Sequence, residues 1–268
     1  MEDEYRGFEK IIFDGQGNFY YDPDSSPDAW KHYNEFYKSH WELFLNFNTQ
    51  ILVASGTPFV RLLSCIKKEN ERIVKLGNDI DEFYLGGECD FNFNKKKYNI
   101  LREILKDDDV GMEMLYRCHA MHCTVLNFSI MAVTGGMNNV KGMNKLDRLD
   151  SFVRKLNDFY ANKTSNNVNN FVPAWQKRNE KQVNRLKNYL LTFEDIYEYC
   201  EKIYFINDRN FVDELITQGG LYITNVEEAK RYMTLANDYW SLKKQSLLAI
   251  RKNQLHSYNN YDIYIQVL

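Results

Sequence analysis

The sequence predicts an α+β protein that is predominantly α-helical, a helical core with a small mixed or antiparallel sheet. Three observations predict it. Apolar residues recur at spacings of three and four over most of the chain. Several of these stretches open on residues that cap helices. Four prolines and thirteen glycines in 268 residues are too few for a sandwich built from tight turns.

Taken in order, Ile11 to Phe13 and Asn18 to Tyr21 flank Asp14-Gly15-Gln16-Gly17, which reads as a β-hairpin. Ser26 and Pro27 suit the start of a helix whose Trp30, Tyr33, Phe36, Tyr37, Trp41, Phe44 and Leu45 form an aromatic stripe with core spacing. Thr57-Pro58 reads as the start of a second helix with Val60, Leu63, Ile66, Ile73 and Val74 on its apolar face. Gly86-Gly87 marks a turn, and Phe91 to Phe93 a short strand. A helix begins at Lys95-Lys96-Lys97 and runs through Leu105; the lysine run could touch phosphate, but three lysines at a helix start are usually just solvated. Asp107-Asp108-Asp109 then places acid at the N-terminus of the next helix, where it complements the dipole.

Cys123 to Val133 is β-branched and aromatic enough for a buried strand. Helical period returns at Leu146, Leu149, Phe152, Val153, Leu156, Phe159 and Tyr160. Residues 164–170, with four asparagines, form the best linker. They divide residues 1–163, the part carrying the central motif, from a helical part at 171–268; one continuous domain is the alternative. After Pro173 comes a helix basic on one side, through Lys177, Arg178, Lys181, Arg185 and Lys187. Thr192 and Asp195 resemble a capping pair, Gly219-Gly220 stops a helix carrying Phe211 and Leu215, and Thr224 with Glu227 reads as a capping box for the last long helix. The alternation of Ile263, Ile265 and Val267 reads as a terminal strand.

A formal net charge of -3 removes any global field that would draw the chain to nucleic acid or an anionic membrane. No run approaches 18 apolar residues, and the first residues lack a basic segment followed by an apolar one. The expectation is therefore a cytoplasmic protein that does not engage a membrane. Cys65, Cys89, Cys118, Cys123 and Cys200 are odd in number and scattered, which suits reduced thiols. The wealth of Asn, Lys, Tyr and Ile is what an AT-rich bacterial or phage genome encodes.

The densest chemistry lies between Arg117 and Asp150. Arg117 to His122 fits R-x4-H, the pattern of HEPN-type ribonucleases. There the arginine stabilises the phosphorane and the histidine moves the 2′-hydroxyl proton without a metal. At i and i+5 the two side chains do not share an ideal helix face. His119, His122 and Cys123 have spacings that suit metal ligands, but Glu88, Cys89 and Asp90 would complete the set only if the fold brought them near, so no metal is expected. Gly135-Gly136, Asn139 and Lys141 form a third possibility, a loop that cradles a phosphate or nucleotide.

The run His122-Cys123-Thr124-Val125-Leu126-Asn127-Phe128, the loop Asn138 to Gly142 and the run Asp147-Arg148-Leu149-Asp150 resemble the core of an uncharacterised bacterial family, a domain of unknown function. That core has an H-T-x-x-N-F strand, an N-x-x-K-G loop and a D-R-x-D helix start. The resemblance covers roughly Arg117 to Tyr160, and more weakly Asp22 to Trp41. This chain differs in inserting Cys123 and in lacking a proline after the apolar strand. The resemblance implies a polar cluster of Asn127, Asn139, Lys141 and Arg148, with no reaction or cofactor attached. The leading expectation is an intracellular interaction or ligand-binding protein of bacterial or phage origin that acts in phage–host conflict, with another protein or a nucleotide or RNA as partner.

Overall fold

The structure is a computed structural model that describes residues 48–54, 57–63, 66–69, 72–75, 82–122, 124–132, 142–143, 146–161, 186–187, 190–191, 193–219 and 222–265. Its strands are β1 (Asn48–Ala54), β2 (Thr57–Leu63), β3 (Ile66–Glu69), β4 (Arg72–Lys75), β5 (Glu82–Cys89), β6 (Phe128–Ala132), β7 (Gly142–Met143) and β8 (Leu146–Asp147). Its helices are α1 (Lys95–Leu105), α2 (Asp109–Met121), α3 (Leu149–Ala161), α4 (Ile196–Tyr199), α5 (Arg209–Gln218) and α6 (Val226–Ile265). The part that carries the described core is predominantly helical.

Side chains fix most helix starts. Asn94 Oδ1 accepts from Lys97 N at 3.0 Å, Asp108 Oδ1 from Gly111 N at 2.6 Å and Asp195 Oδ1 from Glu198 N at 2.8 Å. Each satisfies an N–H that the first helical turn leaves without a backbone acceptor. The box expected at Thr224 and Glu227 is shifted by one residue. Asn225 Oδ1 accepts from Glu228 N at 3.0 Å, and the Glu228 carboxylate takes Thr224 N at 2.7 Å. At Gly219, which ends α5, an added Cβ would lie 2.5 Å from Asp150 O and 2.8 Å from Arg154 Cβ. Only glycine permits that approach of α5 to α3.

The helix expected from Thr57 is instead β2, β3 and β4. β2 lies between β1 and β5, and β3 pairs with β4. Val60, Ile66, Ile73 and Val74 satisfy a three-and-four count, but they are β-branched, and pairing decided the outcome. Gly86 and Gly87 are not a turn. They sit inside β5, opposite Met131 and Ile130 of β6. The strand expected over 123–133 begins only at Phe128, after a 3-10 turn at Val125–Asn127. The terminal strand is not formed through Ile265, because α6 continues to that residue. The N-terminal hairpin, the aromatic helix at 30–45, the 164–170 stretch and the basic helix up to residue 185 lie outside the described residues.

One cluster of buried side chains runs from Cys89 to Leu247. α6 supplies its longest stripe, Ala229, Met233, Ala236, Trp240 and Leu247, and packs on α1, α2 and the 3-10 turn. α4 continues as a π-helical turn (Cys200–Tyr204) that ends on Phe205 with φ of 58°. A non-glycine residue in the left-handed region is strained, and the almost complete burial of the Phe205 ring holds it there.

Candidate functional site

The polar chemistry of the described residues gathers around one extended segment, Cys89 to Asn94, between β5 and α1. Its backbone is bonded mostly by side chains and by neighbouring loops. Asp90 N donates to Asn127 O at 2.7 Å, and Leu149 N donates to Asp90 O at 2.9 Å. Asn127 is fully buried and clamps the segment further. Its Oδ1 accepts from Phe91 N at 2.9 Å and from Trp240 Nε1 at 3.0 Å. Its Nδ2 lies 2.7 Å from Phe91 O, 2.8 Å from His122 O and 2.9 Å from Cys89 Sγ. His122 Nδ1 accepts from Phe93 N at 3.2 Å, with Cys89 Sγ 3.3 Å from the same nitrogen. His119 Nδ1 lies 2.7 Å from Phe93 O, which assigns the proton to that nitrogen.

One side of the segment carries a buried ion cluster. Lys243, 1% exposed, donates to Phe128 O at 2.6 Å, Ser129 Oγ at 2.8 Å and Tyr239 OH at 3.0 Å, and lies 3.3 Å from Asp90 Oδ2. The same carboxylate oxygen accepts from Tyr239 OH at 2.6 Å and Ser129 Oγ at 2.7 Å. Every member is buried and bonded, as a charge removed from water requires.

A second cationic group surrounds Tyr232, whose hydroxyl accepts from Asn92 N at 3.2 Å. Arg148 forks onto Asp150, with Nε 2.9 Å from Oδ1 and an amino group bonded to Oδ2. Its guanidinium lies 5.0 Å from the centre of the Tyr232 ring, and the Lys97 ammonium 5.4 Å from it. Burial opposes the Arg148 charge, but the bond to Asp150 outweighs it and holds the pKa above the ordinary value. Lys97 has no such partner among the described residues. Burial first, and then Arg148, lower its pKa to about 8 against a smaller opposing pull from Asp150. Burial also pushes the Tyr232 hydroxyl well above its usual range.

The sequence-derived candidates separate under this geometry. His122, Asn127 and Arg148 all meet the 89–94 segment, Arg148 through a β-bridge with Phe91. Arg117 does not join them. It bonds Glu113 one turn back on α2, with half of its side chain exposed. Cys118 is buried, which pushes its thiol far above the usual range. Asn139, Lys141 and Cys123 lie outside the described residues. No group of three or more His, Cys, Asp or Glu side chains among the described residues is arranged to hold a metal ion. No helix among them is long and apolar enough to cross a membrane.

Tyr232, Tyr239 and Lys243 were not singled out by sequence; Asp90 was weighed only as a closing metal ligand, and Lys97 only within a lysine run that could touch phosphate. A signal for Lys243 existed: it falls on the buried stripe of α6, three residues after Trp240 and four before Leu247. Comparison of the chain with models of protein families, with curated proteins and with solved structures found no match.

Proposed function

We propose that this protein acts by binding rather than by catalysis: an interaction or ligand-binding protein of the bacterial or phage cytoplasm, acting in phage–host conflict on another protein or on a nucleotide or RNA. The observation that carries the binding reading is the clamp on Cys89 to Asn94. Asn127 and the Nδ1 nitrogen of His122 bond backbone atoms of this segment, an arrangement that holds it rigid and leaves neither group positioned for proton transfer to a phosphate. A ribonuclease of the R-x4-H kind needs its arginine and histidine to converge on one phosphate. Here Arg117 bonds Glu113, whereas His122 bonds Phe93 N. The cellular setting rests on composition and on the family resemblance.

The test is a labelled RNA pool incubated with wild type, Arg117→Ala and His122→Ala, in Mg²⁺ and in divalent-free buffer. Thermal melts and native mass spectrometry of protein purified from bacterial lysate accompany it. Expected are no cleavage, a co-purifying partner or ligand, and an unchanged melting temperature for Arg117→Ala. His122→Ala should lose roughly 1–3 kcal/mol, because Phe93 N is left without its acceptor. Cleavage that each alanine abolishes without changing the melting temperature would overturn the reading.

A further inference from the structure

We propose that the exposed face shared by α1 and α2 docks a second copy of this chain as a weak two-fold dimer; this goes beyond the binding reading, which concerns the 89–94 segment. A tight turn joins the two helices, with Asp108 N donating to Leu105 O at 2.8 Å, and they pack side by side. An open groove follows their seam. Arg102 and Lys106 of α1 line it, with Asp109, Met112, Glu113 and Tyr116 of α2. Residues four apart share a helix face. Arg102 and Lys106 therefore form one basic row, and Asp109 and Glu113 one acidic row. Met112 and Tyr116, at the same spacing and half-buried, supply the apolar part.

The two rows do not pair with each other. All four charged residues are exposed, and among the described residues Arg102 and Asp109 have no ion-pair partner. Lys106 bonds Glu103 and Arg117 bonds Glu113, each along its own helix and with both side chains largely in water. Exposed pairs of this kind are weak and give way to other partners. A basic row beside an acidic row is its own complement. The turn sets Lys106 nearest Asp109, and one helical turn away from it Arg102 lies on the side facing Glu113. A two-fold axis along the groove lays each basic row on the acidic row of the other copy. Arg102 then meets Glu113 and Lys106 meets Asp109, each contact occurring twice. A partner of one charge sign would be repelled by one of the rows. Val110, 65% exposed and one turn from Glu113, adds apolar surface at the rim. Helices of 11 and 13 residues side by side offer roughly 400 Å². A stable interface buries about 800 Å² per partner, so the dimer should be weak, with a Kd of roughly 10 µM to 1 mM.

The experiment is sedimentation equilibrium of the full chain at pH 7, from about 10 µM to about 1 mM, in low salt. A monomer–dimer equilibrium is expected, weakened several-fold in about 0.5 M sodium chloride because the pairs are exposed. Arg102→Glu sets acid against acid and should weaken the dimer ~10-fold or more. Arg102→Glu combined with Glu113→Arg exchanges the two charges and should restore it. Both positions are exposed on helices, so thermal melts should show each variant folded. A chain that stays monomeric across the range, a dimer indifferent to Arg102→Glu, or a double variant that dimerises no better than the single one would each overturn the proposal.

Discussion

Two lysines lie almost wholly inside this protein, and both sit over a tyrosine ring on α6. Lys243 is 5.3 Å from the centre of Tyr239, and Lys97 is 5.4 Å from that of Tyr232. Their surroundings differ in every other respect. Lys243 has a carboxylate, a carbonyl and two hydroxyl groups around its ammonium. Lys97 has a guanidinium nearby and a carboxylate already held by that guanidinium. The first arrangement is closed, with each polar atom answering another. In the second, no hydrogen-bond acceptor for the ammonium lies among the described residues. Burial alone therefore does not tell a fully bonded charge from one without an acceptor; the hydrogen bonds do.

The same substitution at the two sites should have opposite signs, and that is the hardest test of the comparison. Lys243→Met removes the cation that faces the buried Asp90 carboxylate, to which Ser129 and Tyr239 still donate, and it takes the Lys243 ammonium from Phe128 O. The expected loss is about 3–5 kcal/mol, as for one partner removed from a buried pair. Urea denaturation followed by circular dichroism measures it. A loss below about 1 kcal/mol would mean that the cluster relaxes or admits water, and the distinction between the sites would fail.

A somewhat smaller effect is expected where no charge is involved. Asn127→Ala would leave Phe91 N, Phe91 O, His122 O and Trp240 Nε1 without their shared partner. One orphaned buried group costs about 1–3 kcal/mol, and several orphaned together place this substitution near the top of that range. Native-state hydrogen exchange should show the loss locally, as faster exchange at Phe91 N, with the exposed end of α2 unchanged. Uniform acceleration across the chain would instead mean that Asn127 supports the whole fold and not this segment.

These clusters explain how much could be read from sequence. α1 was placed from its three lysines to Leu105, and α5 was correctly ended at Gly219, because caps and stop signals are local chemistry. Asn127, His122 and Arg148 stood out as polar residues beside an apolar run, and all three meet the 89–94 segment. Their partners were not legible. Asp90 looks like any acid after a strand, and Lys243 like one of two consecutive helix lysines, until α6 is laid across β6. β2 to β4 were hidden for the same reason: pairing between distant stretches outweighs a local count of apolar spacing. Lys97 was read with Lys95 and Lys96 as solvated. Only its neighbours are exposed, because the third position of this helix turns inward onto Tyr232.

The smallest expected effect lies at that inward position, and its sign decides the comparison. Lys97→Met removes an ammonium that has no acceptor among the described residues, so it should stabilise the protein by about 1–2 kcal/mol near pH 7. The gain should depend on pH in a defined direction. The folded-state pKa of Lys97, about 8, lies below its ordinary value of 10.5, so between these values the unfolded chain binds more protons than the folded one. Stability of the wild type therefore rises with pH across that window as the buried amine is relieved of its charge. Below about 8 both states hold the proton, and the penalty is present in full. The advantage of Lys97→Met over wild type should thus be largest at pH 7 and shrink steadily towards pH 10. Paired urea titrations at pH 7, 8.5 and 10 measure it, with the difference between the two proteins cancelling the titration of groups they share. A variant less stable than wild type at pH 7, or a difference that does not change with pH, would show that Lys97 is satisfied where it stands, as Lys243 is.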